Sequence, residues 1–270
     1  ERTHATALKS SMPLMDPRYH LPRLVELTEQ AFELSEACRL PVMMSLRIRA
    51  IHMTGNFVCK ANRPPTYGAK NHVPKAKYDF GKICLPPSTY TQKQDKVSVR
   101  LPAARRFIVE KGLNEHFPGD GQRPSTRSEP ALSLPKGQAL GLIMQGGMYT
   151  NALRGLRLLG RADAYGQTDL PLLVLNVIYP LVPEQIESFL KNKDHVLIIE
   201  EGNPAFIEQE VRAIAQSAGL ACKILGKGTM PAFGEYTADA VRGGLAKWLA
   251  AVGHQPSATG HQPSATGHQP

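Results

Sequence analysis

Arg49 and His52 are the first residues along the chain that could carry chemistry. They follow a short apolar run, Val42-Met43-Met44-Ser45-Leu46, that reads as a buried strand, and they lie where that strand meets a turn. Open α/β sheets present their ligand contacts at such strand ends. An arginine there can hold a carboxylate through two parallel hydrogen bonds. The plain alternative is a surface arginine and a hydrogen-bonded histidine. Gln145-Gly146-Gly147 is a second candidate, a glycine turn between an apolar run and a helical pattern. It would let the backbone approach a ligand or a facing domain, but it is not G-x-G-x-x-G, so it does not specify a dinucleotide. Glu200-Glu201 ends another apolar run. Two adjacent carboxylates can form an acid/base pair; more often they cap the next helix or face a basic partner.

Other chemistries are excluded by absence. Cys38, Cys59, Cys84 and Cys222 form no C-x-x-C pair and fit neither a zinc site nor an iron–sulfur cluster, so no metal site is expected. They read as reduced thiols. No G-x-S-x-G, Walker loop or H-E-x-x-H occurs.

The framework that would hold these residues centres on Leu140 to Gly202. Three apolar runs, Leu140–Met144, Leu172–Ile178 and Val196–Ile199, alternate with two helical patterns. Runs without internal alternation suit strands covered on both faces, and parallel strands need helical crossovers. The stretch is read as βαβαβ. Upstream, residues 1–11 are polar and expected to be weakly ordered. Leu21 to Cys38 reads as a helix with Leu24, Leu27, Phe32 and Leu34 on its apolar side. Residues 61–138 are punctuated by prolines, which interrupt helices and interior strands. A single helix near Ala103–Lys111 is expected there, with 121–137 as a protruding insertion. Downstream come a helix from Pro204 to about Ala218, a strand at Ala221–Leu225, and a helix capped by Thr237 that buries Val241, Leu245, Trp248 and Leu249. The tail from Gly253 repeats every seven residues without an apolar seam and reads as disordered.

With 270 residues and 42% hydrophobic content the chain can form one large domain or two small ones. No apolar run approaches the roughly 20 residues needed to span a bilayer, so no membrane contact is expected. A cytoplasmic location follows from the thiols and from the lack of a signal segment. The chain begins at Glu1 rather than Met, which reads as a fragment or a processed form. The net charge of +9 is spread out, with much of the excess in Lys60–Arg127. It is read as steering an oppositely charged protein partner rather than as binding nucleic acid.

Ala31–Gly55, AFELSEACRLPVMMSLRIRAIHMTG, resembles the end of the pyrimidine-binding domain of thiamine-diphosphate-dependent 2-oxoacid:ferredoxin oxidoreductases, most nearly the large subunit of the indolepyruvate enzymes. The second half is similar, in order, to the transketolase C-terminal-like domain of the same enzymes. Its markers are the turn at Gln145–Gly147, Tyr179-Pro180-Leu181-Val182-Pro183, Val196–Gly202, and Gly234-Glu235-Tyr236-Thr237. The family's metal–diphosphate signature is absent. Gly119-Asp120-Gly121 matches only its beginning, with Asn151 near the later spacing. The match is rejected, because a diphosphate loop should follow an apolar strand and open a helix. Here Asn114-Glu115-His116-Phe117-Pro118 precedes it and prolines follow.

The resemblance implies an α/β chain: residues 1–60 as the end of a pyrimidine-binding-like domain, 61–138 as a linker with the insertion, and 139–252 as a three-layer domain with a mostly parallel sheet, followed by the tail. It implies a segment of an enzyme that decarboxylates indolepyruvate or another arylpyruvate oxidatively to an acyl-CoA. Arg49 and His52 occupy the family's Arg and His places and are the catalytic candidates. Thiamine diphosphate and magnesium would serve the full enzyme without being bound by this segment, and any iron–sulfur clusters would lie elsewhere. The implied partners are another subunit, ferredoxin or a similar acceptor and coenzyme A, in an oligomer. Since the diphosphate motif is missing, the chain's role would be structural and interfacial, and whether it is itself an enzyme is left open. The alternative is a non-enzymatic α/β interaction module.

Overall fold

The computed structural model describes residues 2–62, 79–119 and 139–253. The insertion at 121–137 and the repeat tail lie outside these residues. The central run and its neighbours form a five-stranded sheet from β3 (Glu115–Phe117), β4 (Leu140–Gln145), β5 (Leu172–Leu175), β7 (His195–Ile199) and β8 (Lys223–Leu225). Their order across the sheet is β3-β5-β4-β7-β8. The last four are parallel, and β3 pairs antiparallel with β5. Four helices provide the crossovers and the cover: α6 (Tyr149–Leu158), α7 (Pro183–Leu190), α8 (Phe206–Ser217) and α9 (Ala238–Ala251).

Both faces are covered, as the unalternating runs require. Leu140, Leu142 and Met144 face α6 and α9, where Leu156, Leu245 and Trp248 complete one core. Ile143, Val196 and Ile198 face α7 and α8, where Ile186, Phe189, Ile207 and Val211 form the other. The period of two along each strand supplies two cores from one run. The architecture is three-layer α/β with a mostly parallel sheet.

The run Leu172–Ile178 is not one strand of one sheet. Asn176, fully buried, divides it into β5 and β6 (Val177–Tyr179). Its carbonyl accepts from the Asp16 amide and its Oδ1 from the Arg18 amide. Its Nδ2 donates to the Leu113 carbonyl and to Glu115. These demands turn the chain away from β4. Strand β6 joins β1 (Leu14–Met15) and β2 (Met43–Met44) in a second sheet, ordered β2-β1-β6. One continuous stretch, 172–179, thus carries both sheets and couples the N-terminal part to the rest.

The N-terminal part departs from expectation in four ways. Residues 2–10 are a helix, α1 (Arg2–Ser10), anchored by the buried Ala7 and His4. The helix at Leu21–Cys38, α2, has the expected bounds but leaves Phe32 exposed, because only Leu27, Leu34 and Cys38 reach the core. The strand expected over 42–46 shrinks to the half-buried β2, and Arg49 lies not at a strand end but in a short helix, α3 (Ile48–Ile51). Residues 88–110 are helical nearly throughout, through α4 (Ser88–Asp95), a π-turn at Lys96–Arg100, and α5 (Leu101–Glu110). Pro102 sits at the junction of the π-turn and α5, where the hydrogen-bond pattern changes.

Candidate functional site

Consecutive strands run β4, β5, then back across β4 to β7 and on to β8. The winding therefore reverses between β4 and β7, and the crevice outside their carboxyl ends is where open α/β sheets take ligands. Gln145 ends β4, and Glu200 and Glu201 follow β7. A cavity of about 430 Å³ opens there, lined among others by His4, Asp16, Arg47, Arg49, Gln145 and Glu201.

The lining groups of the crevice pair with one another. Gln145 donates to Asp16 Oδ2 at 3.1 Å and accepts from the Glu201 amide at 2.6 Å. Arg47 donates to Asp16 Oδ2 at 3.0 Å and pairs with Glu201. Arg49 pairs with Glu235, reaches the Tyr236 carbonyl at 3.4 Å, and lies 3.6 Å from Glu201. The Gln145-Gly146-Gly147 turn is what admits this segment. A Cβ on Gly146 would lie 2.1 Å from the Asp16 carbonyl, and one on Gly147 2.6 Å from Asp16 Oδ1. Of the two roles open to the glycine turn, the structure places the facing segment against it.

The acidic pair takes both of its plain roles. Glu200 caps α8, its two oxygens accepting from the Ile207 and Glu208 amides at 3.0 Å each. Glu201 faces the arginines and accepts from the Tyr236 amide at 2.7 Å. Burial raises the Glu200 carboxyl above its ordinary range, against the amide bonds and Lys227, which favour the charge. Burial likewise raises Asp16, with Arg47 opposing. His4, packed 4.9 Å from the Phe206 ring, is pushed down by burial to about 4 and is neutral at pH 7. Tyr236 is raised to about 12 by burial, then by the charges of Glu200 and Glu208, so its hydroxyl stays protonated and donates to the Pro231 carbonyl.

Of the two catalytic candidates, Arg49 lines the cavity and His52 does not. His52 is exposed at the end of α3, where its amide closes the last turn. Asp16, Arg47 and His4 escaped sequence reasoning. Asp16-Pro17 reads as a turn, and nothing local marks its carboxylate as the centre of a buried pair. Arg18 and Glu115, a largely buried ion pair at 2.6 Å beside Asn176, were equally silent. The strand β3 precedes Gly119-Asp120-Gly121, but its Glu115-His116-Phe117 is not the apolar, buried strand that a diphosphate loop would follow. Asp120 and residues 121–138 lie outside the described residues, and Asn151 is engaged with the Tyr236 carbonyl at 2.6 Å.

Relatives bear on what this crevice belongs to. Indolepyruvate oxidoreductase subunit IorA of Methanothermobacter thermautotrophicus is 30% identical over 234 residues, 86% of this chain and 33% of the relative. The same subunit of Methanothermobacter marburgensis is 28% identical over 233 residues, with the same coverage. That of Pyrococcus abyssi is 24% identical over 247 residues, 92% of this chain and 34% of the relative. The chain is similar to part of subunit IorA. It spans about a third of the length of the curated relatives it matches. No family model matches it. Among solved structures, a 2-oxoglutarate:ferredoxin oxidoreductase from Magnetococcus marinus aligns over 86% of this chain and 41% of its own, at 11% identity and a TM-score of 0.48.

The IorA relationship raises the question of a thiamine diphosphate and its metal. The crevice does not fit them. Its two guanidiniums, Arg47 and Arg49, are already paired with Asp16, Glu201 and Glu235. A diphosphate would have to displace those carboxylates. Among the described residues no group of three His, Cys, Asp or Glu could hold a metal ion.

Proposed function

We propose that this chain is the framework and interface segment of a 2-oxoacid oxidoreductase acting on indolepyruvate or a similar arylpyruvate, with the cofactor's binding groups held elsewhere in the assembly. In the whole enzyme the substrate would be decarboxylated and oxidised to an acyl-CoA, two electrons passing to ferredoxin or a similar acceptor. Thiamine diphosphate would supply the carbanion chemistry. Residues 1–60 would be the end of a pyrimidine-binding-like domain and 139–252 a transketolase C-terminal-like domain, joined by 61–138. One observation supports this reading: Asp16 and Arg47 cross to the carboxyl ends of the strands and pair there with Gln145 and Glu201, so the lining of the crevice joins the two parts of the chain. Arg49 is the catalytic candidate that remains within it. It stands at the outer side, paired with the mostly exposed Glu235, where a group from another part of the enzyme could replace that carboxylate. His52 would act only on a surface outside the crevice.

The test is thermal melting of the purified chain with and without thiamine diphosphate and magnesium. An unchanged melting temperature is expected, whereas ligand-dependent stabilisation by several degrees would contradict the reading. Adding the companion subunit should produce a stable complex. A chain that binds neither cofactor nor companion would instead be a free-standing α/β interaction module.

A further inference from the structure

A second cluster of polar side chains lies at the opposite end of the sheet from the crevice. Lys191-Asn192-Lys193-Asp194-His195 leaves α7 and enters β7, and Cys222-Lys223 enters β8. The two strands are parallel, so their amino ends lie together, and His195 stands directly opposite Lys223 in the register. A cavity of about 510 Å³ opens there, lined by Lys191, Lys193, His195 and Lys223, with Leu220 and Ala221 as apolar lining.

The charge of this cavity is unbalanced. Among the described residues none of its three lysines has a carboxylate within ion-pair distance. Lys193 lies over the Phe189 ring at 5.7 Å, which places the ammonium without neutralising it. Asp194 also lines the cavity, and its Oδ2 accepts from the Ala139 amide at 2.7 Å. The ring Nδ1 of His195 is buried and has no hydrogen-bond partner among the described residues. Such an orphaned group costs free energy that a bound ligand recovers. Cys222 adds no negative charge, because burial, then Asp194, push its thiol up to about 11. Unpaired ammonium groups beside an unsatisfied ring nitrogen suit an anion with several acceptor oxygens, and lysine serves phosphate as a point charge.

We infer that this cavity binds the phosphate monoester of a small organic molecule, its phosphoryl oxygens meeting Lys193, Lys223 and the His195 ring and its organic part resting on Leu220 and Ala221. A carboxylate is the poorer match, since it brings less charge and fewer oxygens to the three lysines. A cavity of this size takes a drug-sized molecule, so a free phosphate ion leaves most of it unfilled. The site stands apart from the crevice, and its failure would leave the assembly reading untouched.

The experiment is isothermal titration of the full chain with adenosine 5′-monophosphate and phenyl phosphate, with inorganic phosphate and a 20-base-pair duplex as parallel arms. Saturable binding of at least one monoester, tighter than that of inorganic phosphate, is expected. It should weaken about tenfold in Lys193→Gln/Lys223→Gln. Lys9→Gln/Lys93→Gln removes the same charge from exposed positions elsewhere and should leave binding unchanged. Circular dichroism of both variants should match the parent. In the parent, the His195 imidazole resonances should shift as the monoester is added. Equal weakening in the two variants would mean that net charge alone attracts the anion, and overturns the site. Inorganic phosphate binding as tightly as either monoester overturns the ligand class. Binding of the duplex without saturable binding of either monoester overturns the inference, as does binding of neither.

Discussion

The sheet of residues 139–253 and the stretch 46–111 solve the same problem differently. In the first, every residue of β4 and β5 is buried, and each face has its helices. In the second, α3 and α4 leave most of their apolar side chains in solvent, and α4 buries none of its residues. A layer of apolar strands is self-sufficient once covered on both sides. A helical strap that covers one side of α2 and shows apolar groups outward has unsatisfied area. The contrast separates a core closed on both faces from a stretch whose apolar side chains stand at the surface.

Substitutions put this contrast to the test. Trp248→Ala, at a fully buried position between α9 and the sheet, should cost about 3–5 kcal/mol of unfolding free energy in urea titration. A cost below about 1 kcal/mol would deny that the sheet core is closed. Next comes the joint between the regions. Arg47→Met strands the Asp16 carboxylate, 1% exposed, and should cost about 3 kcal/mol. A smaller effect is read through pH. His4 is held at about 4, below the ordinary 6.5, by burial. Its contribution is complete above pH 6.5 and is lost as pH falls towards 4. Melting temperature should therefore fall less steeply over that interval in His4→Leu than in the parent. Asp16 and Glu200, with raised carboxyls, act in the opposite sense, their contribution being lost as pH rises. Arg49→Met should cost under about 1 kcal/mol, since its main partner Glu235 is largely exposed. The least effect belongs to the strap itself. Ile48→Ser/Ile51→Ser should leave stability within about 0.5 kcal/mol of the parent; a larger loss would mean that these side chains are packed internally.

The information carried by amino-acid order alone was local and periodic. The unalternating runs at 140–144 and 196–199 dictated strands buried on two faces, the Thr237 cap and the Val241–Trp248 stripe dictated the last helix, and the glycine turn at 145–147 allowed a close neighbour, a ligand or a facing segment. The similarity to IorA was legible in the combination of such segments. The identity of that neighbour was not legible. Asp16, Arg47 and Glu201 are separated by up to 185 positions and meet only because β6 leaves the main sheet at Asn176 to pair with β1. That departure depends on hydrogen bonds to Asp16, Arg18, Leu113 and Glu115, groups with no periodic relation to Asn176. Periodicity reports which face of an element is apolar. Which polar groups must meet is decided by closing the whole chain, since only then is each buried donor obliged to find an acceptor.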